Sequence, residues 1–147
     1  MRLSAKSEYA VKALLDLALH AGGDLQPIQD IAGRQGIPQR YLEQVLLGLK
    51  RSGFLLSRRG SAGGYRLARP ADQITVGAVL RAVEGSEGPD AGRRGARRPP
   101  ADDVGDLEEL WREIDAAVSS VIDRLTLEDL RRRAEERRRT ARPMYHI

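Results

Sequence analysis

The 147-residue sequence contains no cysteine, which excludes several classes of protein at once. Without a thiol there is no disulfide framework, no cysteine-ligated zinc site or iron–sulfur cluster, and no thiol nucleophile. Histidine is almost as scarce, because His20 and His146 are the only two and stand far apart in the chain. A histidine-based metal site is therefore not expected, and the sequence indicates no cofactor.

Other features are missing as well. One Trp, four Tyr and one Phe are too few for a surface that stacks on sugars or bases. No apolar run is long enough for a membrane span, and the first ten residues lack a signal-peptide core, so a cytoplasmic location is expected. No pair of carboxylates, Ser/His combination or ligand cluster lies at a spacing suited to catalysis, and the sequence does not favour an enzyme.

The charges that are present are divided unevenly along the chain. Residues 1–70 contain 11 Lys or Arg against 5 Asp or Glu, a net charge of +6, whereas residues 71–147 contain 14 against 16, a net charge of −2. A basic first half suits an anionic partner such as nucleic acid. A solvated basic face explains the same charge equally well.

Three amphipathic patterns in the first half predict three helices. The first begins after a cap at Ser4. The second lies between Pro27 and Gly36, and the third between Pro38 and Gly53. Two short helices separated by a glycine-containing turn, the second being the more regular, indicate a helix-turn-helix.

The periodicity changes after the third helix. Residues 54–57 and 65–68 are strand-like and flank residues 58–64, a turn rich in arginine and glycine. A two-stranded hairpin directly after a helix-turn-helix is a wing. The predicted fold is therefore mainly α with a small β-hairpin wing, a winged helix-turn-helix domain over residues 1–84.

The second half begins with a short helix and a loop. Thr75 can cap a helix over residues 76–83. Residues 85–105 have almost no apolar side chain, which predicts a mobile loop. A last short helix opens at Thr126, which an acid follows three residues later as in a capping box, and residues 131–147 form an Arg-rich tail.

The longest predicted helix begins at Asp106 and, with the short last helix, occupies residues 106–130. Its apolar residues fall on one stripe, spaced three, four and seven residues apart. We expect the stripe to pair two subunits, because helix-turn-helix proteins usually read two half-sites; packing within one chain is the alternative. The stripe consists of Leu107, Leu110, Trp111, Ile114, Val118, Val121, Ile122 and Leu125.

The start of the third helix carries the residues expected to read bases. With Leu42 facing inward, Gln39, Arg40, Glu43 and Gln44 point outward. Glutamine can pair with adenine, arginine with guanine, and glutamate accepts a hydrogen bond from cytosine. Alone, these residues would be ordinary solvated positions. The helix-turn-helix before them and the wing after them favour contact with double-stranded DNA.

Residues outside the third helix complete this predicted surface. Lys6 suits a phosphate contact near the start of the first helix, and the wing arginines suit a narrow minor groove. A nucleotide-binding loop is the rival interpretation of the glycines, but no Walker pattern is present. The predicted DNA-contacting residues are Lys6, Gln39, Arg40, Tyr41, Glu43, Gln44, Arg58, Arg59, Gly60, Gly63 and Gly64.

Six motifs follow one another along essentially the whole chain: Met1-Arg-Leu-Ser-Ala-Lys-Ser-Glu-Tyr-Ala, Ile31-Ala with Gly36-Ile, Tyr41-Leu-Glu-Gln, Leu49-Lys-Arg-Ser-Gly, Arg58-Arg-Gly with Gly-Gly-Tyr, and Val76-Gly-Ala-Val. In this order they resemble the Rrf family of bacterial winged-helix regulators. The resemblance implies a homodimer bound to a palindromic operator, with the long helix after the loop pairing the subunits.

The resemblance also suggests a branch of that family. Its cluster-binding members carry cysteines in the loop that corresponds to residues 85–105, and this chain has none. In this respect the chain is more similar to the family's repressor of cysteine metabolism. Two further features resemble that repressor, the segment Thr126-Leu-Glu-Asp-Leu and the ending Met144-Tyr-His-Ile. The resemblance then implies a repressor that does not depend on an iron–sulfur cluster and acts in complex with cysteine synthase (O-acetylserine sulfhydrylase).

The final residues offer a physical reason for such a complex. A carboxylate on a terminal isoleucine suits a site built for an amino-acid carboxylate. We therefore expect Tyr145, His146 and Ile147 to bind the synthase active site in competition with O-acetylserine, the alternative being a frayed terminus. Two further alternatives stay open: a family regulator that senses another small molecule or stress signal, and a synthase-binding protein that acts without DNA.

Overall fold

A computed structural model of the chain describes residues 3–22, 24–85 and 105–141. It confirms a mainly helical fold with one two-stranded antiparallel hairpin. The helices and strands are α1 (Ala5–Leu19), α2 (Ile28–Gln35), α3 (Gln39–Arg51), β1 (Leu55–Arg58), β2 (Gly64–Leu67), α4 (Val76–Glu84), α5 (Gly105–Ile122) and α6 (Leu127–Ala141), with a 3-10 turn at Ala71–Gln73 between β2 and α4.

Three helices, α1, α4 and α6, begin where the sequence supplies a side-chain cap. The Ser4 hydroxyl accepts a hydrogen bond from the Ser7 amide at 3.2 Å, and Thr75 accepts one from the Ala78 amide at 3.1 Å. Thr126 and Asp129 exchange reciprocal bonds of 3.0 and 3.1 Å at the start of α6, as the capping-box pattern predicts. These side chains satisfy amides that the first turn of a helix leaves unpaired.

Helix α1 lies at the centre of the fold, where its buried face packs against α2, α3, α4, α6 and β2. Most of the core is made by aliphatic side chains of α1 to α4, and Leu127 of α6 inserts into the same cluster. The fully buried large side chains include Leu14, Ile31, Leu42, Leu46, Leu49, Leu55, Ile74 and Leu127. One core therefore joins the helix-turn-helix, the wing and the start of the last helix.

The hairpin is extended by a short third segment that the sequence prediction missed. Leu55 pairs with Leu67 and Arg58 with Gly64 across β1 and β2. On the other side of β2, Gln26 and Tyr65 exchange two backbone hydrogen bonds of 2.9 Å each. The wing is thereby tied to the segment between α1 and α2 as well as to the end of α3.

The last helix is longer than predicted. It runs to Ala141, so the prediction that an Arg-rich tail begins at residue 131 is wrong for residues 131–141. Arg131 bridges Glu128 and Glu135 on the same helix face, and such pairs at spacings of three and four residues stabilise a polar helix. The predicted partner-binding residues 145–147, and all but the ends of the predicted loop 85–105, lie outside the described residues.

The segment that follows α5 ties this helix to the rest of the fold. The Val76 amide donates to the Leu125 carbonyl at 2.8 Å, and the Leu127 amide donates to the Ile74 carbonyl at 2.9 Å. These bonds form a short bridge between Thr75 and Thr126. Within the described ranges, no helix is both long and apolar enough to cross a membrane.

Candidate nucleic-acid interface

Helix α3 has one buried face and one exposed face, and the predicted base-reading residues lie on the exposed one. Leu42, Val45, Leu46 and Leu49 are buried against the core. The exposed side chains at the first turns are Gln39, Arg40, Glu43 and Gln44. The amphipathic sequence thus places the polar side chains at the end of the helix that enters a major groove in helix-turn-helix proteins.

Tyr41 packs against Tyr9 of α1, the helix that also carries Lys6. The rings of Tyr9 and Tyr41 pack edge to face with centroids 5.4 Å apart, which fixes the start of α3 against α1. Tyr41 nevertheless remains 42% exposed. Lys6 is exposed and precedes Tyr9 by three residues, and therefore lies on the same face of α1. The ring contact therefore brings the start of α3 against the face of α1 that carries Lys6.

The wing loop presents arginines at the surface. Arg58, Arg59 and Gly60 are exposed. Gly60 has a φ of 113°, a backbone conformation that favours glycine. A Cβ at Gly63 would lie 2.2 Å from the Arg58 carbonyl oxygen, so the tight turn excludes any side chain there. The two glycines give the loop its shape, and the arginines give it its charge.

Gly64 has a different role from the one that the sequence suggested. It is buried, and a Cβ at this position would lie 2.5 Å from the Gln26 carbonyl oxygen. The close approach that the missing side chain allows is to the chain's own backbone. The prediction of Gly64 as a DNA-contacting residue is therefore corrected: it permits the third strand segment to pair with the wing.

A buried ion pair that the sequence did not predict holds α2 against α1. Asp16 is 1% exposed and accepts hydrogen bonds from Arg34 Nη2 at 2.7 Å and from Gln35 Nε2 at 2.9 Å. The hydrogen bond to Asp16 raises the pKa of Arg34. Arg34 also donates to Gln26 Oε1 at 2.9 Å, which links α2 to the segment beside the wing. In the sequence, the signal for this ion pair was Asp16 itself, an acidic residue among the apolar positions of α1.

The predicted stripe on α5 is largely uncovered. Leu107, Leu110, Trp111 and Val121 are each between 43% and 51% exposed, and the other four members are half-buried. A helix that leaves this many large apolar side chains in water is typical of a protein–protein interface. The position of the stripe on the helix after the wing domain is the one expected of a subunit-pairing element.

A helix-turn-helix with an exposed polar recognition face, followed by an arginine-bearing wing, defines a winged-helix DNA-binding protein. Family comparison agrees, because residues 3–133 match the model of the Rrf2 family, described as an iron-dependent transcriptional regulator. The chain belongs to the Rrf2 family of transcriptional regulators. This family consists of transcriptional regulators and not of enzymes, in agreement with the prediction from the sequence.

Individual relatives fall in more than one branch of the family. The transcriptional regulator IscR of Sodalis glossinidius is 42% identical over 131 residues, which are 88% of this chain and 78% of that protein. The structure of T. potens IscR superposes with a TM-score of 0.77 at 34% identity, over 92% of this chain and 90% of the other. The structure of CymR, the global cysteine regulator of B. subtilis, superposes with a TM-score of 0.73 at 32% identity, over 89% of this chain and 96% of the other. The predicted closer similarity to the cysteine repressor is not confirmed.

The family is described as iron-dependent, but this chain lacks the cysteine ligands that an iron–sulfur cluster needs. Iron–sulfur clusters are held chiefly by cysteine thiolates, and this chain contains none. Among the residues that the structure describes, no three His, Cys, Asp or Glu side chains are grouped so that they could hold a metal ion. The His20 ring already uses Nδ1, which lies 2.7 Å from the Asp16 carbonyl oxygen. The residues present do not fit a cysteine-ligated cluster.

Proposed function

We propose that the protein acts as a homodimeric repressor that binds a palindromic operator and needs no iron–sulfur cluster to do so. In each subunit the start of α3 enters the major groove, where Gln39, Arg40, Glu43 and Gln44 meet base edges. The exposed polar face at the start of α3, beside the arginine-bearing wing, is the observation that carries the proposal.

The remaining contacts follow from charge and exposure. Lys6 and the Tyr41 hydroxyl meet phosphates on one side of α3, and Arg59 enters the minor groove on the other. Several neutralised phosphates make binding steeply dependent on salt. Pairing through the exposed stripe of α5 brings two such surfaces together, so a twofold-symmetric operator matches a twofold-symmetric protein.

A selection from random DNA duplexes with the purified chain tests this proposal. We expect a palindromic sequence to be enriched and to be bound by two chains. Gln44→Ala should relax the preference at one base position in each half-site, whereas Lys6→Ala should weaken binding to all sequences alike. Gln73→Ala, at an exposed position of the 3-10 turn, is the matched control and should change neither. Failure to enrich any sequence would contradict the proposal.

The regulated process is proposed to be cysteine or sulfur metabolism, with cysteine synthase as the partner. The absence of cysteine from the chain and its similarity to the B. subtilis cysteine regulator support this assignment. In this proposal Tyr145, His146 and Ile147 contact the synthase. A calorimetric titration should show binding that deletion of Ile147 abolishes and that O-acetylserine competes away. Unchanged binding by the shortened chain would contradict the role of these residues.

A cavity of about 510 Å³ favours a second candidate, a regulator that responds to a small molecule. It lies between the C-terminal end of α1, strand β2 and the start of α6, with Leu17, Leu56 and Tyr65 among its apolar and aromatic lining residues. Arg66 and Arg69 also line it and suit a ligand with an anionic group. Further charged lining residues are Asp24 and the ion-paired Glu128 and Arg131.

The two candidates differ in what releases the operator. To test the small-molecule candidate, a panel of small carboxylates is screened for compounds that raise the melting temperature of the protein. A compound that does so should also dissociate the protein–DNA complex when no other protein is present. Arg69→Ala should abolish that effect. If the operator is released only when cysteine synthase is added, the first candidate is favoured. If the chain binds the synthase but binds no DNA, the remaining alternative is favoured, a synthase-binding protein that acts without DNA.

A further inference from the structure

An ion pair joins α4 to the C-terminal end of α5. Arg81 Nη1 donates to Asp123 Oδ1 at 2.6 Å, and Nη2 donates to Oδ2 at 2.8 Å, although the two residues are 42 positions apart in the chain. This two-bond geometry orients both groups, because a planar guanidinium and a planar carboxylate fit in one arrangement. The guanidinium also lowers the pKa of Asp123. The pair is fairly exposed, so its main effect is on orientation and not on stability.

Gly77 is the reason that the carboxylate fits against α4. A Cβ at Gly77 would lie 2.1 Å from Asp123 Oδ1 and 3.0 Å from Arg81 Nη1. Glycine in a helix interior is less favourable than alanine, so its presence in the first turns of α4 needs a local cause. The space required by the Asp123 carboxylate supplies that cause. Gly77, Arg81 and Asp123 together form what we call the α4–α5 clamp.

Because the clamp lies at one end of α5, a small rotation there displaces the other end of the helix by a large distance. The hydrogen bonds that tie α5 to the winged domain are made by residues just after its C-terminal end, at Asp123 and Leu125, while the apolar stripe toward its start is exposed. Helix α5 has 18 residues. At the usual rise it is about 27 Å long, so a rotation of about 10° at the clamp moves the far end by about 5 Å. That displacement exceeds the rise of one DNA base pair, about 3.4 Å.

We propose that Gly77, Arg81 and Asp123 are positioning residues that set the distance between the two half-sites the dimer accepts. This inference depends on the proposed dimer, because α5 must pair the subunits for its direction to separate their α3 helices. With the clamp intact, one direction of α5 is strongly favoured and one operator spacing is bound best. With the clamp broken, α5 pivots and neighbouring spacings become acceptable.

Two single variants and their combination test the clamp. Gly77→Ala displaces the carboxylate, and Asp123→Ala removes it. Each full-length protein is titrated against operators, identified by selection with the unaltered chain, whose half-sites are moved one base pair closer or further apart. The unaltered chain should prefer its own spacing by about tenfold or more, and both variants should reduce that preference to within about threefold. Gly33→Ala, a helical glycine with nothing within 4 Å of an added Cβ, should keep it.

The double variant tests the cause assigned to Gly77. Once Asp123 is alanine, adding Gly77→Ala should change the spacing preference no further, because no carboxylate remains to be displaced. A clearly larger effect in the double variant would overturn this role of Gly77. If Gly77→Ala fails to fold by circular dichroism, Asp123→Ala and Asp123→Asn alone carry the test.

The failures of the clamp and of the proposed function can be told apart. If the variants are dimeric and retain the spacing preference of the unaltered chain, the clamp inference is overturned while the proposed function stands. If the unaltered chain binds as a monomer or shows no preferred spacing, the proposed function fails first and the clamp inference fails with it. Sedimentation velocity on each complex separates these outcomes.

Discussion

Replacing Arg34 by leucine tests how the helix-turn-helix is held to α1. The substitution removes the guanidinium that donates to both carboxylate oxygens of Asp16 but leaves an apolar side chain in its place. Asp16 then keeps the Gln35 amide at 2.9 Å as its hydrogen-bond donor among the described side chains, and the His20 ring lies 3.7 Å from Oδ1. A buried carboxylate has lost its charged partner.

The expected cost follows from how deeply each group is buried. Removing one partner of a buried ion pair costs about 3–5 kcal/mol. Asp16 is 1% exposed, but the Arg34 side chain is 33% exposed and its charge is partly screened, so the lower end of that range applies. We expect Arg34→Leu to lower the free energy of unfolding by about 3 kcal/mol. For a domain of this size that is a large fraction of the total stability.

Urea unfolding at one fixed protomer concentration measures this loss, since the stability of a dimer depends on concentration. Arg40→Leu is the matched control, because Arg40 is exposed on α3. It should change stability by no more than about 0.5 kcal/mol while weakening DNA binding. A loss below about 1 kcal/mol for Arg34→Leu, or equal losses in the two variants, would refute the reasoning about the buried pair.

Three further predictions concern the wing, the dimer helix and the cap of α6. Arg59→Ala should weaken operator binding by about 1–3 kcal/mol in a gel-shift series; unaltered affinity would contradict the wing contact. Leu110→Glu should convert the dimer to monomer in sedimentation velocity, whereas Glu109→Gln should not. Hydrogen bonding by the Thr126 amide lowers the pKa of Asp129 in the folded state, so its contribution to stability is present above the unfolded-state pKa and lost as the pH falls through the folded one. Asp129→Asn should therefore reduce the dependence of the melting temperature on pH below about pH 4, and an unchanged profile would count against this cap.

The parts of the fold that the sequence predicted are those with local causes. Ser4, Thr75 and Thr126 each cap the helix that the sequence assigned to them, because a cap acts on amides only two or three residues away. The positive φ of Gly36 ends α2 for the same kind of local reason. The order of helix, turn, helix and hairpin could therefore be derived without knowledge of tertiary contacts.

The features that were missed depend on residues far apart in the chain. The bond of Arg34 to Asp16 joins two helices, and the ion pair of Arg81 with Asp123 spans 42 positions. Gly64 was assigned to the DNA surface because its partner, the Gln26 backbone, gives no signal in the sequence. The length of α6 was underestimated because a run of arginines resembles a solvated tail until its glutamate partners are placed on the same helix face.

The most direct test of the central claim is a hydroxyl-radical footprint of the metal-free protein on its selected operator. We expect two equivalent protected regions, related by the twofold axis of the DNA and centred about one helical turn or a multiple of it apart. Loss of the Arg59 side chain should remove protection at the flanking minor groove only. A single protected region, protection without sequence preference, or binding that appears only after an iron–sulfur cluster is supplied would contradict the account.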